Sequence, residues 1–313
     1  MPPRATERPR PVGFHDDGPR QGRHDNFDGS VPPVVRTAFD VSAYTLDVGG
    51  RIPVDAAAIN RDARGDWAPL VTLRRDLDYL HRLESAALTE TRTMYSSWTA
   101  NEARITAFAA SWMWERFWWA RALRDVRAAI PGPRELRRQD PPPPGLVHRA
   151  RRLYVERALP LVGPAWTALA GEQVTAGHMA RMSVQEGSLL AALHALSARL
   201  DTIPEAQRVI EEICRRREGS VDFFRQEAIA RITRSRGEAR TARLVLTVGG
   251  DPLRPAGQWI PHEHDARRSI FRTPEARAAL HAARFEITRL LPGLDLPSPR
   301  RRNAPGGPLG IRP

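Results

Sequence analysis

The chain contains no lysine: all 48 of its basic residues are arginine. That absence excludes a lysine Schiff base and a P-loop lysine. Cysteine is almost missing too, with Cys214 alone, which rules out an internal disulfide, a cysteine-rich zinc site and an all-cysteine iron–sulfur cluster. A reducing, cytoplasmic setting fits. There is no long hydrophobic run; the most apolar stretch, Ile105 to Trp114, is about half of the roughly 20 residues needed to cross a bilayer. Glu115 and Arg116 end it, and no membrane span is expected. The amino terminus carries charge and proline without an apolar h-region, so no secretory signal is expected either. Gly-rich phosphate loops, a nucleophile elbow and kinase signatures are also lacking.

What is present suffices for one sizeable core or two modest ones: 313 residues, 41% hydrophobic and 27% charged. The net charge of +12 would suit nucleic acid, but the excess is dispersed. Pro133 to Arg152 holds six arginines against Glu135 and Asp140, and the carboxy-terminal tail adds Arg300, Arg301, Arg302 and Arg312. Replacement of every lysine by arginine, with abundant Ala, Pro and Gly, matches a GC-rich coding bias. A solvated arginine surface is expected, with no nucleic-acid partner.

Residues 1–33 have the composition of a disordered tail, and residues 34–59 read as an extended arm with turns at Gly49-Gly50, Pro53 and Asp55. Apolar periodicity predicts helices over about 70–97, 101–129, 146–169, 172–200, 204–236 and 274–291. The run Pro141 to Pro144 marks a connector between two helix pairs. Residues 238–273, broken by Gly249-Gly250, Pro252, Pro255, Gly257 and Pro261, read as an irregular excursion. A basic tail is expected over 297–313. The fold class is all-α: a helical bundle over 34–296 with an amino-terminal arm and a carboxy-terminal extension.

A rotation of about 100° per residue tests which side chains share each apolar stripe. Glu84 falls in the stripe of Leu73, Leu77, Leu80 and Leu88; Arg116 falls between Trp112 and Trp119. Glu186 occupies the centre of the face formed by Met179, Met182, Leu190 and Leu193, and Glu218 the shoulder of Ile210, Ile213, Cys214, Val221 and Phe224. Four helices thus each aim one ionisable group inward. An isolated buried charge costs several kcal/mol, so such groups must share partners, shift their protonation, hold a metal or border a pocket. The sequence His262-Glu263-His264 offers three ligand-type side chains, but adjacent residues in a loop rarely converge on one ion, and a solvent-exposed loop is expected there.

In this setting, several short pieces acquire meaning from their order: Phe39-Asp40-Val41-Ser42-Ala43-Tyr44, Thr106-Ala107-Phe108 with Trp112, Glu115-Arg116-Phe117-Trp118-Trp119, Arg217-Glu218-Gly219 and Asp222-Phe223-Phe224. Through them the chain resembles the ferritin-like superfamily, and within it the iron-containing-redox-type helical proteins common in actinobacteria. The resemblance implies a bundle in which two helices each give one Glu and two give Glu-x-x-His to a di-iron centre. Glu84 and Glu186 match the single glutamates. The Glu-x-x-His positions fall on Arg116 to Trp119 and on Glu218 to Val221, so one glutamate and both histidines are missing.

The expectation is therefore a bundle that has lost its di-iron site and holds no metal, with Arg116 as the substitute positive charge among Glu84, Glu186 and Glu218. These four are the candidate catalytic residues for binding, or binding and transforming, a small organic molecule. Trp112, Trp119, His178 and Val221 are the candidate substrate-binding residues. Two alternatives stand beside this: an O2-activating iron oxidase with an atypical ligand set including His178, and a non-catalytic partner protein. Homodimerisation through apolar helix faces is compatible with such a bundle.

Overall fold

The computed structural model describes residues 35–132, 171–254, 260 and 262–293. Among these residues every regular element is helical and there is no strand. The chain divides between Val35 and Arg36, and all the helices belong to the unit that begins at Arg36. The expected tails, the connector from residue 133 onward and the helix over 146–169 lie outside the described residues.

The arm contains two short helices, α1 (Val41–Leu46) and α2 (Ala56–Asp62). Each has an aspartate cap: Asp40 accepts from the Ala43 amide, and Asp55 from Ala57 and Ala58. The stretch expected as one helix over 70–97 is two, α3 (Trp67–Glu84) and α4 (Ala87–Tyr95). At the bend between them the Ala86 amide bonds the Leu83 carbonyl at 3.2 Å, a tightened last turn. A 3-10 turn (Trp98–Asn101) leads into α5 (Ala103–Ala129).

Next come α6 (Gln173–Ser197) and α7 (Pro204–Arg234), the latter opened by proline in its first turn. Residues 238–273 are not the irregular excursion expected, since they carry most of α8 (Arg236–Val248) and all of α9 (Glu263–Ile270). The reason is a capping box, Ser235-Arg236-Gly237-Glu238, in which Ser235 Oγ accepts from the Glu238 amide and bonds its carboxylate. Last is α10 (Pro274–Thr288), capped by Thr273.

Four long helices form a square in which α3 packs on α5, α5 on α7, α7 on α6 and α6 on α3. Each neighbouring pair is antiparallel. Glu84 meets Arg116 while Asp78 meets Arg127; Glu102 meets Arg231 while Phe108 meets Phe223; Ser197 meets Glu211 while Glu172 meets Arg234. Consequently α5 and α6 run parallel across the diagonal, and Ala129 and Gln173 lie at opposite ends of the bundle. The remaining helices cover its sides, α8 and α10 against α6 and α9 against α3.

The core is in two parts. One holds Leu77, Leu80, Trp119, Leu123, Leu193, Leu196, Ile210 and Ile213. The other holds Phe108, Trp112, Met179, Met182, Phe223 and Phe224. What separates them is a layer of charge.

Candidate functional site: a buried arginine–glutamate layer

Glu84, Glu186, Arg116 and Arg217 are all at most 1% exposed, and Glu90 is 8% exposed. Arg116, midway along α5, donates Nε–H to Glu84 Oε2 at 2.8 Å, Nη1–H to Glu90 Oε2 at 2.6 Å and to Glu186 Oε1 at 3.4 Å, and Nη2–H to the Leu83 carbonyl at 2.6 Å. The Leu83 carbonyl at the bend, which already accepts from the Ala86 amide, takes the guanidinium as its second donor. Arg217, from α7, donates Nη1–H to Glu186 Oε2 at 2.6 Å and Nη2–H to Glu84 Oε1. Ser220 Oγ adds a bond to Glu186 at 3.0 Å, and Gln185 donates to Glu90. Glu84 and Glu186 are thus each bridged by both arginines, a bidentate arrangement that suits the planar guanidinium fork.

Aromatic faces close the layer above and below. The Arg116 guanidinium lies 5.1 Å from the Trp112 ring and that of Arg217 lies 4.6 Å from Trp119. Burial pushes the Glu84 carboxyl up, but Arg217 and Arg116 outweigh it and hold the group below the ordinary carboxylate range. Burial likewise opposes charge on Arg116, and Glu84, Glu90 and Glu186 overcome it, so the guanidinium stays charged. Three carboxylates face two guanidiniums here, leaving one formal negative charge. Three donors have no acceptor: Arg217 Nε, Trp112 Nε1 and Trp119 Nε1 are buried without a hydrogen-bond partner.

A tyrosine–glutamate pair flanks the layer. Tyr44, on α1, donates its hydroxyl to Glu115, and burial followed by that carboxylate pushes the phenol well above its ordinary value. Burial raises the Glu115 carboxyl, only partly offset by the Tyr44 bond. The Tyr44 ring reaches α7 because residue 219 is glycine; a Cβ there would meet the ring at 3.1 Å.

Of the residues expected from sequence, Glu84, Arg116, Glu186, Trp112 and Trp119 come together. Glu218 does not: it is exposed, and Val221 is only half-buried. The centre of the α7 stripe passes through Ile210, Ile213, Arg217, Ser220 and Phe224, which turns the next residue, Glu218, about 100° toward solvent. Arg217 therefore stands where Glu218 was expected. His178 lies apart from the layer as well, bonding Thr99 Oγ1 at 2.8 Å and Ser97 Oγ at 3.4 Å. Burial, with Arg181 adding to it, lowers its pKa to about 4. His262 and His264 are exposed, and Glu263 pairs with Arg254.

Two residues of the layer escaped the sequence reading. Arg217 is hidden by a one-residue phase ambiguity that the pair Phe223-Phe224 would have resolved. Glu90, continued on an unbroken helix from Glu84, would point about 240° away; the bend at Ser85-Ala86 brings it back to Arg116. Among the described residues, no group of three or more His, Cys, Asp or Glu side chains is arranged to hold a metal ion. No protein-family model, curated protein or solved structure matches this chain.

Proposed function

We propose that this protein is a ferritin-like bundle in which two guanidiniums have taken the place of two metal ions, and that its interior binds a small neutral organic molecule. The order of the four long helices supports the first half of this reading. Two antiparallel hairpins, α3–α5 and α6–α7, whose middle helices run parallel, match the ferritin-like connectivity. The family's di-iron centre does not fit the residues present: no imidazole among the described residues reaches the layer, and Arg116 and Arg217 stand between the carboxylates and repel a cation.

The observation that carries the binding reading is the set of unpartnered donors on Arg217, Trp112 and Trp119. A buried donor without an acceptor costs about 1–3 kcal/mol, and a ligand carbonyl would supply the acceptor. The layer already has one more carboxylate than guanidinium, which favours an uncharged carbonyl or amide over an anion. Arg217 is the anchor of choice, because Arg116 already donates to four oxygens. The saturation of Arg116 favours a second reading, in which the layer only fixes the packing of a partner protein without chemistry of its own.

A titration with small ketones and amides, set against carboxylates of equal size and followed by tryptophan fluorescence, separates the two. Saturable binding of the neutral compounds, weakened at least tenfold in the folded Arg217→Lys variant, which keeps the charge but lacks Nε–H, supports the interior site. No saturable binding, or equal binding in the variant, overturns it. Near-stoichiometric iron after anaerobic ferrous loading would favour the oxidase alternative instead.

A further inference from the structure

Between Arg104 and Arg121 the only charged residues of α5 are Glu115 and Arg116, and both are buried. In a chain that is 27% charged, the solvent face of its longest amino-terminal helix therefore carries no charge for about four turns. That face is instead Ala103, Ala107, Ala110, Trp114, Phe117 and Trp118. Trp114 is 50% exposed and Phe117 53%. The rings are already ordered against one another: Trp114 and Phe117 stack at 6.1 Å, Trp118 lies edge-on to both, and Arg121 caps Trp118 at 6.0 Å. Elsewhere among the described residues, the exposed large apolar side chains include Leu46, Phe285 and the pair Leu244 and Val248 one turn apart on α8, without a comparable run of stacked aromatic rings.

The order of sizes along this face is what selects its occupant. Its amino-terminal half is small, with alanines at 103, 107 and 110, and its carboxy-terminal half is large, with Trp114 and Phe117. An antiparallel copy of the same helix, related by a two-fold axis at the level of Trp112, sets Trp114 over the partner's Ala110, Phe117 over the partner's Ala107 and Arg121 over the partner's Ala103. Every large side chain then meets a small one, twice over, which is the self-complementarity an isologous interface requires. Tyr95, 40% exposed and bonded through its hydroxyl to the Thr106 carbonyl, widens the apolar surface beside the alanine half. A partner of unrelated chemistry would give no reason for this matched spacing.

We infer that the protein forms a homodimer through this face, α5 packing antiparallel on α5 of a second copy with Trp114 and Phe117 seated over the partner's alanines. The inference does not depend on what the interior binds.

Light scattering coupled to size exclusion, run up to about 100 μM chain, tests it with four forms of the full chain checked for native helix content by circular dichroism. The wild type is expected to be a dimer and Trp114→Glu a monomer. Ala110→Trp adds apolar surface, so a merely adhesive face would associate more; the two-fold register predicts a monomer, because the added indole would collide with the partner's Trp114. The exchange variant Ala110→Trp/Trp114→Ala restores large against small and is expected to recover the dimer. A monomeric wild type overturns the inference, as does a dimer indifferent to Trp114→Glu, or one that Ala110→Trp strengthens.

Discussion

Two of the buried arginine–glutamate clusters among the described residues are built differently. Toward the end where α7 terminates, Glu102, Arg104, Glu227 and Arg231 balance two charges against two. Arg104 Nε donates to Glu227 at 3.0 Å, Arg231 bridges Glu227 and Glu102, and Arg104 Nη2 reaches out to Thr37 at 2.7 Å and to the Phe39 carbonyl at 2.6 Å. That cluster touches solvent through Arg104, 24% exposed, and ties the amino-terminal arm to the helices. The central layer binds no arm; its Glu84, Glu186, Arg116 and Arg217 are shut off from solvent and Glu90 nearly so, and it has a surplus carboxylate and aromatic faces, while both clusters hold an arginine Nε without a partner. Balanced charge with a chain segment fastened to it describes a structural clasp, whereas the central layer differs in its surplus carboxylate and in the unpartnered Trp112 Nε1 and Trp119 Nε1, the features on which the proposed binding rests.

The largest test of that contrast is to remove one member of the central layer. Glu186→Leu or Arg217→Met strands opposite charges in the core and is expected to lower the unfolding free energy by about 3–5 kcal/mol in urea denaturation. Replacing Arg116, Arg217, Glu84, Glu90 and Glu186 together by Met and Leu should recover most of that loss. A single change costing less than about 1 kcal/mol would mean that the layer is open to water and no different from a surface network.

Acid provides the next test. His178 has a folded pKa near 4 against about 6.5 unfolded, so the unfolded chain binds the extra proton between these values and stability falls as pH drops from about 6.5 to about 4. The difference amounts to up to about 3 kcal/mol, and the His178→Gln variant should lack this part of the acid limb in denaturation curves at stepped pH.

At the end cluster, Arg104→Ala removes bonds to Glu227, Thr37 and Phe39 with partial solvent relief. A loss of about 1–2 kcal/mol is expected, together with faster proteolysis around residues 36–46. Central variants should leave that cleavage rate unchanged when they are compared at equal stability. Glu102 sharpens the contrast with Glu84 by sign. Burial raises the Glu102 carboxyl despite Arg231, so its folded form retains the proton longer and its contribution to stability declines as pH rises through the folded pKa. The lowered Glu84 contributes in the opposite sense, losing its share as pH falls. The smallest effect belongs to Glu218→Gln, exposed and expected to change stability by no more than about 0.5 kcal/mol.

Much of this arrangement is legible before any coordinates. α5, α6 and α7 lie within three residues of their expected bounds because long stretches without interior proline, bounded by Pro131 after α5 and by the first-turn Pro204 of α7, announce themselves. Glu84, Arg116 and Glu186 are legible too: a charge in mid-stripe is conspicuous against leucine, methionine and tryptophan. What stays hidden depends on phase. On α7, Glu218 and Arg217 are separated by a single step of about 100°, and a stripe read from Val221 instead of Phe223 selects the wrong one. Glu90 requires the bend after Glu84, which no proline or glycine marks. The glycine and proline breakers of 238–273 lie between α8 and α9 and bound these helices without interrupting them, and Ser235 with Glu238 caps the first.

The bend at Ser85-Ala86 also sets what kinds of change this gene can absorb. Both residues have right-handed helical backbone angles, so the joint needs no glycine; Ser85 is exposed and should accept most side chains, whereas the fully buried Ala86 leaves room for little more than its methyl group. Length is another matter: one codon inserted or deleted would swing α4 by about 100° and take Glu90 off Arg116. Across species this two-residue joint should keep its length and a small residue at position 86 while varying at position 85, the reverse of what is usual for a link between helices.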